Sequence, residues 1–167
     1  GKPAEMIVIQ QEGGLTAAVE KGRKIVKDLV DKIKADPVAV SVSKLRVGLK
    51  CGSSDTTQGL SANVVVGSLT DVLASAGAGV VIGETTEFMG AEHIAARNAA
   101  DKETAESIVR LVRRMEERAL AVGVDMRGGQ PTRGNIAGGL STIEEKSLGA
   151  LAKAGSAVYQ KVIDYGD

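Results

Sequence analysis

The 167-residue chain is poor in aromatic side chains: it has no tryptophan, and Phe88, Tyr159 and Tyr165 are the whole set, 2% of the residues. Base-stacking platforms depend on such rings, so they are practically excluded on composition. Net charge is lacking too. The 21 Lys+Arg balance the 21 Asp+Glu, leaving no field to draw the chain to nucleic acid or a membrane surface. A single cysteine, Cys51, rules out an internal disulfide framework and fits a reducing compartment. The one histidine, His93, falls on an expected helix, where a lone histidine is ordinarily structural or solvent-facing. No apolar run approaches transmembrane length, and no signal peptide is visible.

What remains is Val, Ile, Leu and Ala for a core, with 21 glycines marking turns and close approaches, a common α/β composition. The length suits a single α/β domain spanning residues 1–167. The abrupt opening at Gly1 and the unpunctuated end suggest a fragment of a longer chain. Short apolar runs at Met6–Gln10, Leu45–Cys51 and Val80–Glu84 predict three parallel strands. Between them, apolar residues at helical spacing from Leu15 to about Ala35 predict an amphipathic helix lying on the sheet, stopped by Asp36-Pro37. Val38, Val40 and Val42 alternate as an edge strand or an extended connector. Further helices are expected from Ser61 to the Gly77 stop and from Asp101 to Val122. The fold expected is therefore a three-layer, mostly parallel, Rossmann-like sheet with flanking helices.

Loops at the carboxyl ends of parallel strands are where open α/β sheets bind ligands. That rule singles out the polar turn Cys51-Gly-Ser-Ser-Asp55, with Ser54 and Asp55, and sets Glu84 and Glu87 beside it if the second and third strands are neighbours. Cys51 at a strand end is either a soft metal ligand, a nucleophile or a plain buried residue. The other candidate is the stretch from Pro131 to Gly149. Its first half, with Arg133, Gly134, Asn135, Gly138 and Gly139, reads as a glycine-rich loop that lets backbone approach a ligand. Its second half reads as a helix capped by Ser141 or Thr142, with Glu144 and Glu145 in the first turn. Such a junction suits a carboxylate or phosphate. Lys146 sits one turn into that helix against the dipole, which points to a carboxylate partner or a catalytic role, or to simple solvation.

Four ordered blocks carry a resemblance: Lys44-Leu-Arg-Val-Gly-Leu-Lys-Cys-Gly-Ser-Ser-Asp55; Gly59 with Ala62-Asn63; Thr85-Thr-Glu-Phe-Met-Gly-Ala-Glu92; and Gly134-Asn-Ile-Ala-Gly-Gly-Leu-Ser-Thr-Ile-Glu-Glu-Lys-Ser-Leu-Gly149. Together they resemble the altronate/galactarate dehydratase family, in the first part of its carboxyl-terminal domain. The chain departs from the family pattern at Lys50, Ser53, Val64 and Pro131-Thr-Arg-Gly-Asn135. The last of these resembles instead the large subunit of sulfolactate sulfo-lyase, a relative that eliminates sulfite. The resemblance implies a cytoplasmic lyase that eliminates water from a sugar acid with a divalent metal, ferrous iron above all. On placement and resemblance together, Cys51, Glu84 and Glu87 are the expected metal ligands. Ser54, Asp55, Arg133, Gly134, Asn135, Gly138 and Gly139 are expected to bind substrate, and Lys146 or Glu145 to handle the proton. The remaining domains of a longer chain, and a second copy, are the expected partners, and the fragment alone is expected to be inactive. A non-catalytic anion-binding or assembly domain is the reading from another class.

Overall fold

The computed structural model describes residues 3–33 and 36–164. They form two compact units, divided between Val40 and Ser41. No helix among the described residues is long and apolar enough to cross a membrane.

The first unit is one helix and its lead-in. Helix α1 spans Leu15–Asp31, four residues short of the expected end, and Lys34 and Ala35 lie outside the described residues. The strand expected at Met6–Gln10 does not form: residues 3–8 are irregular, and Ile9 to Gly13 turn into the helix. A four-residue apolar run becomes a strand only where a neighbour takes up its backbone hydrogen bonds. Here the carbonyl of Val8 is instead taken by the amides of Gln11 and Glu12 at 3.0 and 3.2 Å. No strand forms within this unit among the described residues, so α1 has no sheet of its own to cover. Leu15, Val19, Val26 and Val30 are exposed, and of its residues only Ala18 is buried.

The second unit holds the parallel sheet, which has two strands and not the three or more expected. β1 (Arg46–Leu49) and β2 (Gly79–Ile82) pair in register Arg46↔Gly79 through Leu49↔Ile82, joined by α2 (Ala62–Ser75). This is one strand-helix-strand unit of an α/β chain, and no three-layer stack is built from it among the described residues. The valine alternation before β1 is a connector, with Val42 opening a 3-10 turn, Val42–Lys44.

Helices make up the rest of the unit: α3 (Glu92–Arg97), α4 (Lys102–Ala121), α5 (Arg133–Ala137) and α6 (Ile143–Leu151). Helix α4 starts where the sequence asks, because the Asp101 carboxylate accepts the Thr104 amide at 2.7 Å as an N-cap. Its Thr104, Ile108, Val112 and Ala119 are buried, the spacing of a single helical face. Ile108 and Val112 meet Phe88, Met89, Ala95 and Ile143 in the core. Tyr159 closes one side, its ring 6.1 Å from that of Phe88, while its backbone pairs with Ala100 and Asn98 at 2.9 Å each.

Candidate functional site

The ends of β1 and β2 deliver the first half of the site. Gly83 continues the ladder by donating to the Leu49 carbonyl at 2.9 Å, so the chain leaves both strands side by side. Glu84 follows in the left-handed region, φ 62° and ψ 78°, the only non-glycine residue with positive φ among the described residues. A residue held there costs about 1–3 kcal/mol and such strain gathers at functional sites. The turn lets Glu84 Oε2 accept the Cys51 amide at 3.0 Å, while Oε1 lies 3.7 Å from the Lys50 ammonium. A 3-10 turn, Thr85–Phe88, then carries Glu87 inward until it is buried. One ligand atom each from Cys51, Glu84 and Glu87 lie within 4.8 Å of one another.

The thiol of Cys51 is half-buried, 3.4 Å from the Ser54 hydroxyl and 3.4 Å from the Ser53 carbonyl. Burial is the main cause pushing it above the ordinary thiol range, and Glu87 adds to this, while the Ser54 bond and Lys153 oppose it. The balance favours the protonated thiol, and a cation in the cleft would oppose it. Soft thiolate and hard carboxylate together suit a first-row transition metal, which binds such mixed donors, better than an alkaline-earth ion.

The second half comes from the Pro131–Gly149 stretch, but its local structure differs from the expected loop. Thr132 accepts the Asn135 amide at 3.3 Å and Asn135 Oδ1 accepts the Thr132 amide at 3.2 Å. This reciprocal capping box rolls Arg133–Ala137 into a single helical turn, α5. Gly138 and Gly139 are close approaches within the protein: the Gly138 carbonyl accepts the Thr56 amide at 3.1 Å, and a Cβ on Gly138 would lie 3.0 Å from Asp55 Cβ. Asn135 is buried and donates to the Ser54 carbonyl at 2.9 Å, fastening the two halves together. Thr142, not Ser141, caps α6, accepting the Glu145 amide at 3.2 Å.

From α6, Lys146 Nζ donates to Gln130 Oε1 at 2.8 Å and to Asn135 Oδ1 at 2.9 Å. Its partners are thus two neutral amides, so of the three readings the sequence left open the carboxylate partner is not the one found. Two of the three tetrahedral positions around the nitrogen are taken, leaving one for a substrate. The backbone of α6 is held from the other side: Gln58 donates to the Lys146 carbonyl at 2.9 Å and Asn63 to that of Gly149 at 2.8 Å. A Cβ on Gly59 would lie 2.7 Å from Gly149 Cα, and one on Gly149 would lie 2.9 Å from Gln58 Nε2.

The two halves enclose a cleft of about 370 Å³ that takes in Cys51, Ser54, Glu84, Glu87, Asn135 and Lys146. Of the residues expected at the site, Asp55, Arg133, Gly134, Gly138, Gly139 and Glu145 are not in its lining. Asp55 is occupied by the amide and hydroxyl of Thr57, both at 2.7 Å, which hold its carboxyl below the usual range. Glu145 is likewise held down by the Ser141 hydroxyl and amide, at 2.6 and 2.8 Å. Arg133 is exposed on the first turn of α5. Lys50, Gln130 and Thr132 line the cleft without having been singled out. Thr132 lies within the Pro131–Gly149 stretch and Gln130 directly before it, and that position is the signal that could have found them. A larger groove, about 510 Å³ along α4, is lined by Arg110, Arg113 and Arg114 and contains none of the expected site residues.

Residues 42–167 match the family described as D-galactarate/Altronate dehydratase, C-terminal. Among curated relatives, the chain is 40% identical to the (2R)-sulfolactate sulfo-lyase subunit beta of Chromohalobacter salexigens, over 93% of this chain and 40% of that protein. It is 35% identical to the altronate dehydratase of Bacillus subtilis, over 92% of this chain and 31% of that one. With the galactarate dehydratase (L-threo-forming) of Escherichia coli the identity is 37%, over 74% and 24%. The chain thus spans well under half the length of each of these relatives.

Proposed function

The chain belongs to the D-galactarate/altronate dehydratase family, and on that premise we propose that it supplies an elimination site of a lyase removing water from a sugar acid of the altronate or galactarate type. One observation carries the reading: a thiol and two carboxylates able to share one ion lie in the same cleft as a lysine held by two amides.

Elimination next to a carboxylate begins with loss of the proton on the adjacent carbon, and the resulting enediolate needs positive charge close by. Lys146 Nζ takes that proton. The C–H electron pair passes into the enediolate, which collapses to the carbon–carbon double bond as the neighbouring C–O bond breaks. Lys146 then returns the proton to the departing hydroxide, so one water leaves and the lysine ends as it began. Gln130 and Asn135 fix the nitrogen throughout. Ser54 and Thr132 offer hydroxyls for the sugar-acid oxygens, and Lys50 at the rim faces the carboxylate. Cys51, Glu84 and Glu87 would hold a divalent metal, ferrous iron in this proposal. Such an ion supplies Lewis-acid stabilisation of the enediolate.

A second reading, elimination of sulfite from sulfolactate, is favoured by the 40% identity to the sulfo-lyase subunit. It starts from the same proton removal and differs in the group that departs. Either reading makes the protein a cytoplasmic enzyme completed by other domains of a longer chain, in which the two strands would nucleate the three-layer sheet. The test is anaerobic incubation of the full-length protein and Fe²⁺ with altronate, galactarate and sulfolactate, following keto-acid and sulfite release. Lys146→Met should reduce turnover at least a hundredfold, within the contribution of a general base. Unchanged turnover in both Lys146→Met and Glu84→Gln would move the chemistry out of this cleft.

A further inference from the structure

Lys153 stands outside every role assigned so far, although it is the most deeply buried charged side chain in the protein, 3% exposed among the described residues. Lysine is almost never so buried unless paired. Its partner is Glu87, to whose Oε2 the ammonium is bonded in an ion pair with both side chains out of solvent. Glu87 belongs to the trio that could share an ion, so the pair lies against that trio.

The lysine is delivered by a scaffold separate from the cleft. It sits in the 3-10 turn Ala152–Ala154 that ends α6, and Thr70 Oγ1 of α2 donates to its carbonyl at 2.8 Å. A Cβ on Gly67 would fall 2.3 Å from the Ala152 carbonyl oxygen, so α2 and the turn are in backbone contact. Asp71 accepts the Ser156 amide at 2.8 Å just beyond. The backbone that carries Lys153 is therefore held by α2, and Nζ reaches from it to Glu87.

We infer that Lys153 is a positioning residue that keeps one oxygen of Glu87 for itself, so that this carboxylate offers a metal a single oxygen. This rests on the reading that Cys51, Glu84 and Glu87 hold an ion. Its consequence is selectivity. Ca²⁺ takes six to eight oxygens and favours two-oxygen carboxylate ligation, whereas smaller transition-metal ions accept one oxygen each and value the thiolate. Lys153 thus biases the site against calcium.

The metal-free protein is titrated with Co²⁺, whose thiolate charge-transfer absorption reports Cys51, and then challenged with Ca²⁺. The wild type should develop the band and keep it in hundredfold excess Ca²⁺. Lys153→Met frees the second oxygen, and Ca²⁺ should then compete at least tenfold better. Lys153→Arg, which restores a donor, should recover the discrimination. A second measurement does not depend on the folding of Lys153→Met: infrared difference spectra of the Mn²⁺-loaded wild type against Glu87→Gln should show the wide carboxylate splitting of one-oxygen ligation. A narrow, two-oxygen splitting overturns the inference. So does equal Ca²⁺ competition in wild type and Lys153→Met, which would leave the metal reading intact. Absence of any cobalt–thiolate band in the wild type overturns both.

Discussion

Alanine at Gly139 separates two uses of the glycine pair before α6, packing against the Cys51 turn or approach to a ligand. Gly139 has φ +93°, and forcing an L-residue into left-handed backbone costs about 1–2 kcal/mol. The added Cβ would also lie 2.9 Å from Thr56 Cγ2 and 3.1 Å from its Oγ1, an overpacked contact of about 1–3 kcal/mol. The expected loss is therefore about 2–5 kcal/mol, the sum of those two ranges. The two parts can be measured apart. Thr56→Ser deletes Cγ2 and relieves much of the clash but none of the backbone strain, so a double-mutant cycle on Gly139→Ala and Thr56→Ser should show a coupling of about 1 kcal/mol. Urea unfolding of the four proteins supplies the cycle, provided the slope with denaturant stays constant. If Gly139→Ala leaves the midpoint unchanged while weakening substrate binding, the glycine serves a ligand and the packing argument is wrong. A full loss with no coupling would place the cost in the backbone and refute the contact with Thr56.

Thr142→Ala removes the side chain that caps α6 and should cost about 1 kcal/mol, read as a shifted urea midpoint. Tyr159 has a buried hydroxyl with no hydrogen-bond partner, so Tyr159→Phe should be neutral or slightly stabilising by the same measurement. Burial pushes its phenol up to about 12. The raised folded value means its contribution is complete below the ordinary tyrosine pKa near 10 and is lost as pH rises through about 12; ultraviolet titration should show a phenolate component at that pH, absent in Tyr159→Phe. At the acid end, Asp101 is held below the usual carboxylate range by the Thr104 amide and hydroxyl. A depressed folded value gives stability present above the ordinary aspartate pKa and lost as pH falls through the folded one. Asp101→Asn should accordingly flatten the dependence of the urea midpoint on pH below about 4, and an unaltered slope would count against the cap.

The elements that were legible in the sequence are those whose signal is local. Asp101 followed by apolar residues at helical spacing predicts α4, and the structure starts it one residue later. Leu45–Cys51 contains β1 and Val80–Glu84 covers all of β2 but its first residue, Gly79, and the strand-end rule brought Glu84 and Glu87 to Cys51 because it needs only that those strands be neighbours. Met6–Gln10 failed on the same local evidence, since nothing in an apolar run says whether a second strand will accept its backbone bonds. Pro131–Gly139 failed for another reason. Its glycines suggest a loop, but the Thr132–Asn135 pair is a reciprocal cap, and three glycines within seven residues do not prevent a single turn closed at both ends. Lys153 left one trace, a lone charge in the apolar run Leu148–Gly155, and its meaning depends on Glu87, 66 residues away.

The cleft is a joint between two segments that fold on separate local rules. Cys51, Glu84 and Glu87 come from strand ends, whereas Lys146 and Lys153 come from α6 and the turn that finishes it. What sets the lysines against the acids is therefore a small number of tight approaches: Gly138 on Asp55, Gly59 on Gly149, and Gly67 on Ala152. Each is backbone against backbone or Cβ, with no long side chain able to adjust. An error of one methyl group there displaces a lysine relative to the carboxylates, and a displacement of about 1 Å can cost on the order of a hundredfold in rate. These three glycines are on that account distance constraints between Lys146 and the metal-capable trio. A glycine substitution at any of the three contacts should reduce catalysis by more than its effect on stability alone would explain.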